Sequence, residues 1–456
     1  MLPKDFTDRI QNQLSDAPVF LESLQGDSPV SLRLNPYKLI NQFDECHKVP
    51  WCENGFYLEE RPDFYKDPLI FNGSYYVQEA SSMFLDTVLR EAARLDEAPK
   101  VLDLCAAPGG KSTLISSFIG QNGMLVSNEI VGKRVNPLTE NIQRWGNSNC
   151  LVSNNSPKDF EALKSFFDVA VVDAPCSGEG MFRKDKKAVK MWSDQLVRSC
   201  AIRQKQILES IEVTIKPGGH LIYSTCTFAT DENEENLKWL AESGNFKSIR
   251  INLNPEWGIE EVAEDVEGEI FYGYRFYPHK VKGEGFFITC LQKEGEVISN
   301  QKIKIPKKSR KIEFLPKKYL KYFEKWIKNM GDFEFILNGD QVSIFPKSNI
   351  HDFRLLSHFL SLKLIGIDIG KFKNDKFQPS HHLAISSVLH ENITSINLNY
   401  DQAIDYLKRK DFELELQNLK GWVLLKYQDQ ALGWIKALPN RFNNYYPMEW
   451  RLRKNF

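Results

Sequence analysis

No apolar run in the 456 residues approaches the length of a membrane span, so no membrane partner is expected. The opening residues, Met1-Leu2-Pro3-Lys4-Asp5-Phe6, hold no signal-peptide apolar core, and a cytoplasmic location is expected by default. Cysteine is sparse and unpatterned. The eight cysteines include no C-x-x-C pair, which argues against both a zinc site and a disulfide framework, so unpaired thiols and no metal are expected. The dinucleotide signature G-x-G-x-x-G is missing as well. Gly110-Lys111-Ser112 imitates a phosphate loop, but Cys105 stands where its first glycine is required, which makes ATP a poor fit. Internal repeats and long low-complexity tracts are also absent.

What is present begins with charge. The net charge of −1 hides a division: residues 301–456 carry 27 Lys and Arg against 16 Asp and Glu, leaving 32 against 44 for residues 1–300. The densest basic run spans 302–321, where nine Lys and Arg face only Glu313. Such a run suits a solvated linker, and it equally suits a polyanion whose phosphates release counterions to Lys and Arg. A chain of this length predicts two or three domains. Residues 1–95 mix helical stretches with a loop-rich passage. From about residue 100, short apolar strands alternate with helices over 101–104, 124–128, 169–173 and 221–224, which predicts an α/β fold with a doubly wound parallel sheet. A Lys- and Pro-rich linker is expected over 296–318. Beyond it, strands such as 421–425 and 431–435 predict a small, mainly β domain over 319–456.

Two motifs deliver a cysteine from the end of an apolar run: Asp173-Ala174-Pro175-Cys176 and Ser224-Thr225-Cys226-Thr227. Both runs read as buried strands, the second entered through a Lys216-Pro217-Gly218-Gly219 turn, with a helix over about 194–215 between them. A strand–helix–strand crossover of this kind usually sets its strands close together, and ligands bind beyond their carboxyl ends. Cys176 and Cys226 should therefore open onto one cleft. A third motif, Cys105-Ala106-Ala107-Pro108-Gly109-Gly110-Lys111, joins a strand to an apolar helix, where glycines let a ligand approach the backbone at the positive helix end. Glu129 follows at the end of the next strand, placed to accept ribose hydroxyls. A ribose ligand without a demanding phosphate site points to S-adenosylmethionine.

These motifs resemble the Sun-family RNA (cytosine-5)-methyltransferases, closest to the bacterial RsmF-type enzymes that modify small-subunit ribosomal RNA. The resemblance covers nearly the whole chain, including Val77-Gln78-Glu79-Ala80-Ser81-Ser82, Ser177-Gly178-Glu179-Gly180, Gly283-Glu284-Gly285-Phe286-Phe287 and Glu449-Trp450-Arg451. It implies a Rossmann-like methyltransferase domain over 96–295, an N-terminal RNA-binding or cap domain over 1–95, and a PUA-like RNA-binding domain at the C-terminus. Carried over by position, Cys105 to Lys111, Glu129 and Asp173 would hold the cofactor, Cys226 would be the nucleophile, and Cys176 would assist its release. One departure concerns the adenine: Ser156 stands near where the family usually has an aspartate. Asp173 could also bond the N3 and amino edge of a cytosine.

A thiolate nucleophile needs a nearby cation or helix terminus, and Lys111, Arg183, Lys184 and His279 are all candidates. His279 reads equally well as a packed loop residue. Trp422, Trp434, Tyr445, Tyr446 and Trp450 are available either for the core or for stacking on bases. The partner implied is RNA, most readily ribosomal RNA or the small subunit, bound by a monomer. Transfer RNA is an alternative substrate, and a non-catalytic ribosome-assembly factor is an alternative of another class.

Overall fold

The computed structural model describes residues 2–92, 98–296, 303, 312–373, 376–416, 419–439 and 441–454. Much of the basic run, Lys302 and 304–311, lies outside the described residues, as does most of the expected linker.

Five parallel strands form the centre: β1 (Lys100–Asp103), β2 (Met124–Asn128), β3 (Cys150–Ser153), β4 (Phe167–Asp173) and β5 (Ile215–Thr225). Their apolar runs have no polar alternation because both faces are covered. Val101, Leu125, Val169, Val171 and Ile222 enter one core cluster, while Leu102, Val126, Ala170, Val172 and Leu221 enter the other. The spatial order is β3-β2-β1-β4-β5, so the winding reverses between β1 and β4. A crevice opens at the carboxyl ends of such a switch point. The β4 and β5 strands pair directly, with Asp173 opposite Ser224, which sets the two cysteine motifs side by side.

Antiparallel strands extend both edges. β6 (Glu260–Val266), β7 (Glu269–Phe276) and β8 (Phe286–Lys293) continue the sheet beyond β5, and a short strand, Phe246–Ser248, also pairs with β8. At the far edge, β9 (Leu362–Ile365) from the C-terminal third pairs with β3. This strand joins the last third of the chain to the central sheet and covers an edge that would otherwise be open.

One local expectation is corrected. Lys216-Pro217-Gly218-Gly219 does not precede the strand as a separate turn but lies within β5. Gly218 takes a positive φ of 80° there, and the β4–β5 register shifts beside it, so the sheet absorbs the glycines as an irregularity.

The N-terminal part is a three-stranded sheet (Val30–Leu34, Gly55–Leu58, Tyr75–Val77) preceded by helices Lys4–Gln13 and Ala17–Ser23. Beyond the central domain lie a five-stranded sheet between Glu313 and Pro379 and a four-stranded sheet between Ser395 and Asn444. The expected strands at 421–425 and 431–435 fall within Gly421–Tyr427 and Gln430–Leu438. Three of the five aromatics considered for base stacking, Trp434, Tyr446 and Trp450, are core residues. Trp434 is fixed there by its indole N–H, which donates to the Ser380 carbonyl at 2.7 Å. Trp422 and Tyr445 remain half-buried, edge to face at 4.5 Å.

Candidate active site

The turn after β1 is held from three sides. Ala106 N–H donates to the Asn128 carbonyl at 2.8 Å, tying the turn to the end of β2. Arg134 and Asn141, on the helix Gly132–Trp145, donate to the carbonyls of Ala107 (2.6 Å) and Pro108 (2.9 Å). Gly109 takes φ +114°, a conformation that disfavours any side chain, and opens the helix Gly110–Phe118. Thr113 N–H closes its first turn on the Gly109 carbonyl at 2.9 Å, and the N–H groups before it have no acceptor within the helix itself.

At the end of β2, the Glu129 carboxylate is buried. Oε1 accepts from Val131 N–H at 2.8 Å; Oε2 lies 3.3 Å from Arg134 yet has no hydrogen-bond donor. Asp103 is similar. Oδ2 accepts from Ser112 Oγ at 2.6 Å, Oδ1 has no partner, and burial pushes the carboxyl up to about 7. Unmet buried acceptors beside a cradle of N–H donors match a ligand that brings hydroxyls, as a ribose does.

Opposite this turn the cysteines meet. Cys176 Sγ and Cys226 Sγ are 3.1 Å apart, unbonded, and both half-exposed. Cys226 N–H points at Cys176 Sγ at 3.4 Å, and Ser177 Oγ and Thr227 Oγ1 bond at 2.8 Å, so the two loops fasten to each other on either side of the sulfurs. The Cys176 thiol is pushed well up, first by its hydrogen bond to Cys226, then by burial and by the negative charge that Cys226 can carry. Cys176 therefore keeps its proton beside Cys226.

Asp173 stands between turn and cysteines. Oδ1 accepts from Ser224 Oγ at 2.8 Å and Oδ2 pairs with Lys111 Nζ at 2.8 Å. Of the four cations considered for Cys226, Lys111 faces this cluster; burial works against its charge, but Asp173 and, more weakly, Cys226 outweigh it and raise its affinity for its proton. Arg183 and Lys184 turn instead to Glu284, at 3.1 and 3.6 Å. His279 is the packed loop residue: it bonds Asp16 at 3.0 Å and lies edge to face with Phe20.

Comparison with known proteins bears on what this cleft belongs to. Residues 92–292 match the family model for the 16S rRNA methyltransferase RsmB/F; residues 2–80 match the N-terminal domain of RsmF, and residues 394–452 its PUA domain. The ribosomal RNA small subunit methyltransferase F of Vibrio vulnificus is 30% identical over 480 residues, covering 100% of this chain and 98% of that relative. The chain belongs to the RsmB/F methyltransferase family. The enzyme of the same description from Vibrio parahaemolyticus is 31% identical, also over 100% of this chain and 98% of its own length. Among solved structures, a methyltransferase homolog protein from Pyrococcus horikoshii aligns with a TM-score of 0.53 and 26% identity, over 64% of this chain and 95% of that one. The RsmB/F family consists of S-adenosylmethionine-dependent methyltransferases.

Several residues that shape this RsmB/F-family site escape sequence reading. The Asp159 carboxylate folds back onto Ser156 N–H (2.8 Å) and the Asn155 amide (3.1 Å), so an acid does stand at the loop where Ser156 departs from the family pattern. Its signal is the spacing Ser156-Pro157-Lys158-Asp159, a helix-start capping box. Arg33, Asn35 and Lys38 in the N-terminal part escape it too. Arg33 donates to Thr113 Oγ1 (2.6 Å) and the Gly110 carbonyl (3.2 Å), while Asn35 and Lys38 donate to the Trp145 and Arg144 carbonyls. The last two groups satisfy the carboxyl end of the helix that clamps the turn after β1.

Glu232 supports the cysteine loops from below. It is buried, accepts from Ser177 N–H (3.0 Å) and Gln204 Nε2 (2.8 Å), and burial pushes it up to about 7. With a folded-state value above the ordinary 4.5, the folded chain binds more protons than the unfolded chain between those values, so stability falls as pH rises across that window. Glu232→Gln keeps an acceptor and cannot ionise. It is expected to stabilise the protein by up to about 3 kcal/mol at pH 8 and to change little below pH 4.5. Urea unfolding at the two pH values checks this; an equal effect at both rules it out.

Proposed function

We propose that this chain methylates carbon 5 of a cytosine in small-subunit ribosomal RNA in the cytoplasm, through a covalent bond between Cys226 and C6 of the base. The observation that carries the reading is the pair of sulfurs 3.1 Å apart at the ends of adjacent strands, beside the Asp173–Lys111 ion pair. Cytosine C5 is a poor nucleophile, and attack of a thiolate at C6 turns the ring into an enamine-like species that can accept a methyl group at C5.

The residues 105–111, Glu129 and Asp173 would hold S-adenosylmethionine, which supplies a methyl group on an electrophilic sulfonium. Lys111 favours the Cys226 thiolate by charge. Asp173 accepts from the amino group of the base, fixing the ring over the thiolate. Once Cys226 is bound to C6 it can carry no negative charge and no longer takes the Cys176 proton. The causes that hold the Cys176 proton are thereby weakened. Cys176 then assists the last step: having released its own proton to solvent, its thiolate takes the proton from C5, whose bonding pair restores the C5–C6 double bond as the bond between Cys226 Sγ and C6 breaks and Cys226 leaves as a thiolate.

The deciding experiment compares methylated cytosines in ribosomal and transfer RNA from cells with and without the gene. One small-subunit cytosine should lose its methyl group. Loss confined to transfer RNA would reassign the substrate, and no loss in either pool would remove the proposed function.

A further inference from the structure

We propose that residues 181–191 form a shelf at the mouth of the cysteine cleft that binds the phosphates of the RNA strand flanking the target cytosine. The inference rests on the function proposed above and assigns that substrate a contact surface outside the C-terminal domain.

The segment leaves the cleft directly. Gly180 N–H donates to the Cys226 carbonyl at 2.9 Å, and a side chain at Gly180 would run into the Gly285 carbonyl, so the start of the segment is held against the Cys226 loop. It is then pinned at both ends. Phe182 packs against Phe6 at 5.0 Å and Trp192 against the same ring at 5.8 Å, and the Trp192 indole donates to the buried Glu179 at 2.8 Å. Glu179 also accepts from Arg9 (2.6 Å) and Phe228 N–H (3.0 Å), so one carboxylate fixes the shelf, the N-terminal helix and the loop after Cys226 relative to one another. The anchors make the shelf a fixed surface.

Between them the exposed groups are cationic. Residues 181–203 hold seven Lys and Arg against two Asp, whereas residues 1–300 as a whole hold 32 against 44. Asp185 is used as the cap of the helix Lys186–Met191, accepting from Lys187 N–H at 2.8 Å. Lys186, Lys187 and Lys190 are exposed and, among the described residues, have no carboxylate partner within ion-pair distance. Unpaired cations gathered beside a catalytic cleft in an otherwise acidic body repel one another until a polyanion arrives, and they raise its local concentration. Met181 and Met191, 38% and 74% exposed, bracket the lysines with adaptable apolar surface suited to bases unstacked around a flipped nucleotide.

The test uses full-length protein carrying Lys186→Glu, Lys187→Glu and Lys190→Glu together, with small-subunit ribosomal RNA as the probe. The expected result is a KM for RNA raised at least about tenfold at low salt, with the slope of log affinity against log salt reduced by about 2–3. Binding of S-adenosylhomocysteine and kcat at saturating RNA should stay within about twofold, because the lysines touch neither the turn nor the cysteines. The corresponding triple Gln variant should lose affinity by a smaller factor, which guards against misfolding of the reversed-charge protein. A KM and salt slope equal to those of the wild type in both variants would overturn the shelf. Wild-type protein that binds RNA through these lysines but transfers no methyl group would instead remove the proposed function and leave the shelf standing.

Discussion

With Cys226 replaced by alanine, methyl transfer to RNA is expected to fall by about 10⁴-fold or more, while binding of S-adenosylmethionine and of RNA stays near that of the wild type. The size of the effect follows from what the thiolate does: without a bond at C6 the pyrimidine has no route to a nucleophilic C5, and no neighbouring group replaces it. Cys176 cannot substitute, because burial and the nearby Glu232 carboxylate still hold its proton when Cys226 is gone. The variant should fold, since Cys226 is half-exposed and the loops remain joined by Ser177 and Thr227 at 2.8 Å. Single-turnover assays with labelled methyl donor, beside binding isotherms for both substrates, measure this. Turnover within tenfold of the wild type would remove the covalent mechanism.

The opposite phenotype is expected from Cys176→Ala. Attack by Cys226 and methyl transfer should proceed, because Lys111 and Asp173 are untouched, but breakdown of the bond to C6 should slow by about 10²–10³-fold, the scale of a positioned proton-transfer group. Protein should therefore accumulate joined to RNA. The adduct would show on denaturing gels as a species of retarded mobility that needs the methyl donor and disappears on nuclease treatment. The double variant, lacking Cys226 as well, should form none. A Cys176→Ala protein that turns over normally with no adduct would separate Cys176 from the release step.

Much of the sheet can be read from the chain because strands buried on both faces are continuous apolar runs, as 169–172 is. The cysteine motifs are legible for a related reason: one crossover joins their strands, so sequence order alone puts their ends together. The glycines at 218–219 misled because a turn signal is local, whereas pairing with β4 is not, and the pairing prevailed. Stacking by Trp434, Tyr446 and Trp450 is excluded by burial, which composition does not reveal. Asp159 and Glu232 remained unseen because each acts through backbone N–H groups that take their positions only after the neighbouring loops have folded.

The amino-acid sequence by itself determined the chemistry on offer: two thiols, an aspartate and a glycine-bearing turn at the ends of buried strands. Those features depend on residue identity and on short spacing, and any folding of the sheet preserves them. Tertiary structure alone decided which charges accompany the thiols. Lys111 reaches Asp173 across 62 positions, Arg183 and Lys184 are drawn off to Glu284, and His279 is taken by Asp16. It also placed a strand from residues 362–365 on the edge of the catalytic sheet. Ion pairing and edge pairing depend on distance in space, and between residues so far apart in the chain that distance is set only when the core closes.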